Sequence, residues 1–156
     1  MIFFDIIEFK KHLKLNYRVM GLDIGRVRIG CAVSDEQKSL SSGYSMFNLK
    51  KQKFNSLLIE EIINKEKIHG IVVGYPLQMD GERGDSCQMV DKFIQKYLSK
   101  IAHPIFMQDE RLSSSAVNRV FREMELNRKQ QSNLCDKASA SYILQIVLDK
   151  LQYHDK

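Results

Sequence analysis

The chain has 156 residues, 44% of them hydrophobic and 28% charged, the proportions of one globular domain with its own core rather than a disordered, collagen-like or linker-rich chain. Lys plus Arg is 24 against 19 for Asp plus Glu, a net +5, which suits a polyanionic partner and equally a soluble protein kept off its isoelectric point. Three scattered cysteines (Cys31, Cys87, Cys135) and four scattered histidines argue against a disulfide framework or a zinc site and point to a reducing cytosol.

The first 18 residues, MIFFDIIEFKKHLKLNYR, are apolar enough to raise the question of a leader or a membrane span. Asp5 and Glu8 interrupt the apolar run, the basic residues follow it, and no small-residue cleavage site appears, so it reads as neither. The expectation is an amphipathic helix around Phe3, Ile6, Ile7 and Lys14, docked as an extension (1–18) on a domain spanning 19–152. A peripheral membrane anchor is the rival reading.

Two apolar runs, Val19 to Asp23 and Arg28 to Ser34, flank a turn containing Gly25 and read as a β-hairpin. Gly43 to Phe47 adds a third strand. Phe54, Leu57, Leu58 and Ile62 follow helical spacing within a helix over 53–67. Gly70 to Gly74 is a continuous β-branched run, as in a strand buried on both faces. Pro76, Asp80-Gly81 and Gly84 mark a loop, and Val90, Phe93, Ile94 and Tyr97 the next helix. Pro104 to Gln108 reads as a strand ending at Asp109-Glu110-Arg111. Ser113 to Ser115 offer a cap for a helix carrying Val117, Val120, Phe121 and Met124. A polar loop at 127–133 precedes a last helix, starting near Asp136, with a stripe of Ala140, Ile143, Leu144, Val147, Leu148 and Leu151. Three antiparallel strands followed by alternating helices and strands is the order of the α/β ribonuclease H-like fold, a mixed five-stranded sheet flanked by helices.

Acids fall at the ends of these elements: Asp23 after the first strand, Asp109 and Glu110 after the last, Asp136 at the start of the last helix. Functional groups of open α/β sheets gather beyond the carboxyl ends of the strands. Clustered carboxylates with no His or Cys nearby call for a hard cation, Mg²⁺ or Mn²⁺, and a pair of such ions about 4 Å apart hydrolyses phosphodiesters. The plainer reading of Asp136 is a helix cap or first-turn acid. From Lys10 to Arg28 six basic residues face one acid, and from Arg111 to Lys137 six face three. Arg26, Arg28, Arg111, Arg128, Lys129 and Lys137 are candidate phosphate contacts beside the acids, although each alone also reads as a solvated surface group. The loop after Gly74 reads either as a plain crossover or as one wall of a nucleic-acid groove.

Four segments in order resemble motifs of the YqgF family: Gly21 to Asp35, Ile71 to Gly81, Gln108 to Ser114 (similar to Asp-Glu-Arg-Leu-Thr-Thr) and Asp136 to Ala140 (similar to Asp-x-x-Ala-Ala). The resemblance implies a RuvC-like nuclease of the bacterial cytoplasm that matures the 5′ end of pre-16S rRNA, in a family also called Holliday junction resolvases. It implies Asp23, Glu110 and Asp136 as metal-binding catalytic acids. Asp109 is a further possible metal ligand, although strand alternation turns it the other way. The chain departs at Arg26-Val27, where Thr-Lys is usual, at Gln78 for Asn, at Ser113-Ser114 for Thr-Thr and at Ser139 for Ala; none of these removes a proposed ligand.

The expected function is metal-dependent endonucleolytic cleavage of structured RNA, with ribosomal precursor particles as possible partners, by a monomer or homodimer. Resolution of four-way DNA junctions and non-catalytic RNA binding in ribosome assembly are the alternatives. A sugar-kinase or actin-like phosphotransferase clamps its nucleotide between two such domains, and this chain supplies one.

Overall fold

Strand by strand, the chain builds one six-stranded sheet in the order β1-β6-β5-β2-β3-β4. The computed structural model describes residues 1–51, 54–78, 80–110 and 132–153, the last helix by its backbone alone over 132–137. The strands are β1 (Ile2–Phe3), β2 (Arg18–Ile24), β3 (Arg28–Ser34), β4 (Ser41–Asn48), β5 (Ile68–Tyr75) and β6 (Ile105–Asp109). The helices are α1 (Ile6–Lys11), α2 (Ser56–Glu66), α3 (Asp85–Phe93), which runs into a π-helical turn at Ile94–Leu98, and α4 (Ser132–Tyr153). The expected helix around Val117 to Met124 lies outside the described residues.

β2, β3 and β4 form an antiparallel meander, whereas β2–β5, β5–β6 and β6–β1 are parallel. The sixth strand is the addition to the five expected. Ile2 and Phe3, read above as part of a helix, instead pair with Ile105 and Phe106, and Ile105 N donates to Met1 O at 2.9 Å. Those bonds cover a sheet edge that would otherwise present open donors and acceptors. α1 follows after one turn, capped by Asp5, whose carboxylate accepts from Ile7 N (2.8 Å) and Glu8 N (3.1 Å). With six residues it buries Phe9 against Phe106 and leaves Ile7, expected on the docked face, exposed.

Alternation divides the core in two. Met20, Leu22, Ile24, Ile29, Cys31, Val33, Ile71, Val73, Tyr75 and Met107 pack under α2 and α3. Val19, Ala32, Val72 and Phe106 pack under α1 and α4 with Ala140, Ile143, Leu144, Val147 and Leu148. In α2 the buried stripe is Ile59, Ile62 and Ile63. Leu57 is exposed, and Phe54 lies ahead of the helix, meeting Phe47 and Tyr97 edge-on. The helical period is thus present but shifted, because Asn55 caps the helix and Phe54 falls outside it.

α4 begins at Ser132, about four residues before the sequence reading put it and inside the expected 127–133 loop. It is pinned across β3 and β4 by polar contacts. Ser41 N donates to Gln145 Oε1 (2.9 Å), and Gln145 Nε2 donates to Ser39 O (2.9 Å). Lys150 Nζ donates to Gln108 Oε1 (3.0 Å), which fixes the helix over β6. No described helix is long and apolar enough to cross a membrane.

Candidate active site

β2 alternates Val19, Gly21 and Asp23 toward α4, because Met20, Leu22 and Ile24 belong to the opposite core. Asp23 therefore lies on the α4 face at the carboxyl end of its strand, with 8% of its surface exposed. Its neighbours on that face are small. Gly30 is its register partner on β3. On β5, where Leu22 pairs with Val73, the next residue is Gly74. The absence of side chains there keeps open the space beside the carboxylate.

Glu110 approaches the same space from the other side of β5. Its backbone N donates to Tyr75 O (3.2 Å), extending the β5–β6 ladder by one step, and only 2% of its surface is exposed. A Cβ on Gly74 would stand 3.0 Å from Glu110 Cδ, 3.1 Å from its Oε1 and 2.9 Å from Ile143 Cδ1. Gly74 is thus the floor of a cradle that the Glu110 carboxylate fills, a close approach that the absence of a side chain permits. β2 and β6 flank β5, so two strand spacings of about 4.8 Å separate the backbones that carry Asp23 and Glu110. Asp109 pairs with Tyr75 and faces the α3 side with it, so alternation turns it away from Asp23 and Glu110.

Position 136 lies in the second turn of α4, since the helix starts at Ser132. The cap or first-turn reading of Asp136 is thereby corrected. One turn further on, the Ala140 carbonyl stands 3.1 Å and Leu144 Cβ 2.8 Å from where Gly21 would carry a Cβ. Gly21 therefore lets this helix lie directly on β2, two residues before Asp23. The Asp136 side chain is outside the described residues, among which no group of three His, Cys, Asp or Glu side chains assembles into a metal cluster.

Among the basic candidates, Arg26 is exposed in the β2–β3 turn, where Gly25 N donates to Arg28 O (2.8 Å). Arg28 is half-buried and, two residues before Gly30, shares the α4 face with Asp23. Arg111, Arg128, Lys129 and the Lys137 side chain lie outside the described residues. Two glycines were missed in the sequence: Gly21, which admits α4, and Gly30, which leaves room opposite Asp23. Their signal was spacing, since they stand two residues before and seven after the acid on paired strands.

Beneath the site, Tyr75 donates its hydroxyl to Asp91 Oδ2 (3.1 Å). Burial, and then this bond to a carboxylate, push the phenol up to about 12. It stays neutral at ordinary pH and serves as structure under β5.

Three antiparallel strands feeding parallel ones, with a helix laid over the strand ends, define a protein of the ribonuclease H-like fold. The Thermus thermophilus RuvC structure, solved with a Holliday junction substrate, superposes with a TM-score of 0.51 at 11% identity, covering 86% of this chain and 96% of that one. That likeness shows the fold. A family model described as "RuvX: Holliday junction resolvase" matches residues 17–150. A protein of Paramagnetospirillum magneticum named "Putative pre-16S rRNA nuclease" is 35% identical over 142 residues, covering 91% of this chain and 92% of its own. A Rickettsia akari protein of the same name is 31% identical over 152 residues, covering 97% and 99%. The chain belongs to the RuvX (YqgF) family and is an enzyme of its nuclease class.

Proposed function

We propose that this nuclease hydrolyses phosphodiester bonds in structured RNA with Mg²⁺ or Mn²⁺, and that its substrate in the cytoplasm is the 5′ end of precursor 16S rRNA. One observation carries the reading: Asp23 and Glu110, 87 residues apart in sequence, are buried on one sheet face on either side of Gly74. Carboxylates withdrawn from water favour a bound cation, and an all-oxygen donor set suits Mg²⁺ or Mn²⁺ over softer metals. The Gly74 cradle fits that role, because it seats Glu110 without a competing side chain.

Asp23 and Glu110 would hold the ion, with Asp136 brought in by α4 as the third ligand and Asp109 facing away. When bound, divalent ions activate water and stabilise the leaving oxygen of a phosphodiester. The chain's own groups position the substrate. Arg28, on the acid face, and Arg26, on the exposed turn, would meet phosphates flanking the scissile bond. Arg111, Arg128 and Lys129 continue that role in the sequence between Glu110 and α4, and Lys137 in the sequence of α4 itself. The names of the two curated relatives support the RNA substrate.

The family description and the RuvC complex favour a second reading, in which the same site cuts four-way DNA. Both are tested together. Purified protein is incubated with Mg²⁺ or Mn²⁺ and either a pre-16S leader transcript or a synthetic junction, beside Asp23→Asn. Removing one metal ligand forfeits several kcal/mol of charge stabilisation, about 100-fold or more in rate. Leader cleavage that Asp23→Asn loses supports the proposal, and junction cleavage alone moves the substrate to DNA. Tight RNA binding without cleavage would mark an assembly factor, and equal cutting by both proteins would remove the site.

A further inference from the structure

A second cluster of ionisable groups gathers at the far end of the sheet, where β2, β5 and β6 begin. His69 is the second residue of β5 and His103 precedes β6, with their rings 5.1 Å apart and nearly perpendicular. Tyr17, just before β2, sets its ring edge-on to His69 at 5.9 Å, and Lys14 Nζ lies 5.6 Å over the Tyr17 ring. Lys38, from the β3–β4 connection, ties that loop to the cluster by donating to Lys14 O (3.0 Å). Nδ1 of His69 is buried and meets no hydrogen-bond partner among the described residues. Lys14 and Tyr17 are exposed, and Leu15 between them is 85% exposed.

The charged groups that act on the imidazoles are cationic among the described residues and come from the segment before β2 and from the β3–β4 connection. Lys14 and Lys38 act on His69, together with His103, and Lys14 acts on His103. Burial first, and then this repulsion, hold both histidines below their ordinary value. An anion seated here reverses the second cause: it favours protonation of both rings and gains two charge-assisted donors. Cations interleaved with an exposed aromatic ring form the surface on which single-stranded nucleic acid lies, phosphate on charge and base on ring.

We propose that Lys14, Tyr17, His69 and His103 form a proton-linked phosphate-binding exosite that holds the nucleic-acid strand away from the cutting site. The inference rests on the nucleic-acid reading of the function and adds to it a second point of attachment. His69 and Gly74 stand five steps apart along β5, about 17 Å at 3.3 Å per residue, a span of a few nucleotides. Oligonucleotides long enough to span both ends should therefore gain affinity that shorter ones lack. Most of the exosite's contacts come from the chain up to residue 17 and from the starts of β5 and β6, so its loss leaves Asp23 and Glu110 in place.

The test is binding of a fluorescent single-stranded RNA of about twelve nucleotides to the full chain in EDTA, at pH 5.5 and 7.5. Wild type should bind about tenfold tighter at pH 5.5, and His69→Gln/His103→Gln should lose most of that ratio. Lys14→Glu, on an exposed loop, should weaken binding at both pH values with unchanged thermal stability, which keeps the test valid if the histidine variant folds poorly. Imidazole NMR shifts are then followed with the same RNA and with inorganic phosphate. RNA-induced shifts in His69 and His103 support the exosite. Shifts with phosphate but none with RNA, or a pH ratio that survives in the double variant, overturn it. RNA binding with no pH dependence overturns this proposal alone, whereas absence of RNA binding at either pH overturns the nucleic-acid reading with it.

Discussion

The two ends of the central sheet differ in charge and in burial. At the carboxyl ends of β2, β5 and β6, Asp23 and Glu110 are enclosed, with glycines in place of side chains around them. At the opposite ends of the same three strands, Lys14 and Tyr17 stand in solvent and His69 and His103 are half-buried. Parallel pairing explains the segregation. All three strands point the same way, so residues that follow them collect at one end and residues that precede them at the other. The acid end depends on close packing, because a misplaced atom displaces a carboxylate. The basic end depends on charge, because its groups reach outward on flexible stems.

The largest effect that separates the two ends is expected from Gly74→Ala. The new methyl meets the tips of two side chains, Ile143 Cδ1 and the Glu110 carboxylate, so the sheet should hold while Glu110 is driven from its cradle. Cleavage should fall by about 100-fold, since catalytic groups misplaced by an ångström lose that much, with RNA binding in EDTA unchanged. Full activity in a folded Gly74→Ala would show that the cradle has no part in the chemistry.

Gly21→Ala sharpens the contrast, because its methyl would meet Leu144 Cβ and the Ala140 carbonyl, which are not free to swing aside. The expected cost is about 1–3 kcal/mol of stability, as for other overpacked cores, read from urea unfolding. A neutral result would mean that α4 shifts off β2 at little cost.

The smallest effect belongs to the basic end. Its two histidines are held below their ordinary value, so the unfolded chain binds their protons more readily. The stability they confer is complete above about pH 6.5 and is lost as the pH falls through their lowered folded values. Thermal scans from pH 7.5 to 5 should show a decline that His69→Gln/His103→Gln flattens. Identical decline in both proteins would place the acid sensitivity elsewhere.

Much of this was legible in the chain. Val19 to Asp23, Arg28 to Ser34 and Gly70 to Gly74 are runs that only strands with both faces covered tolerate, and their order implied the fold. Strand alternation alone separated Asp109 from Glu110. Other features were not legible, because they arise between segments. The helical period in Phe54 to Ile62 hid that Phe54 lies outside the helix and joins the rings of Phe47, Phe93 and Tyr97. Ile2 and Phe3 read as helix until β6 offered them an edge to pair with. The basic cluster left no motif, because its four residues come from three stretches that meet only where their strands start.

Local patterning settled which segments become strands and helices and which acids end them, since periodicity and side-chain type act over a few residues at a time. Distance in space was decided by the assembled sheet. The order β6-β5-β2 puts Gly74 between Asp23 and Glu110, and shared strand direction puts Lys14, Tyr17, His69 and His103 together. Neither arrangement is written in any one stretch of chain, because strand order and face follow from how the whole apolar surface is buried at once.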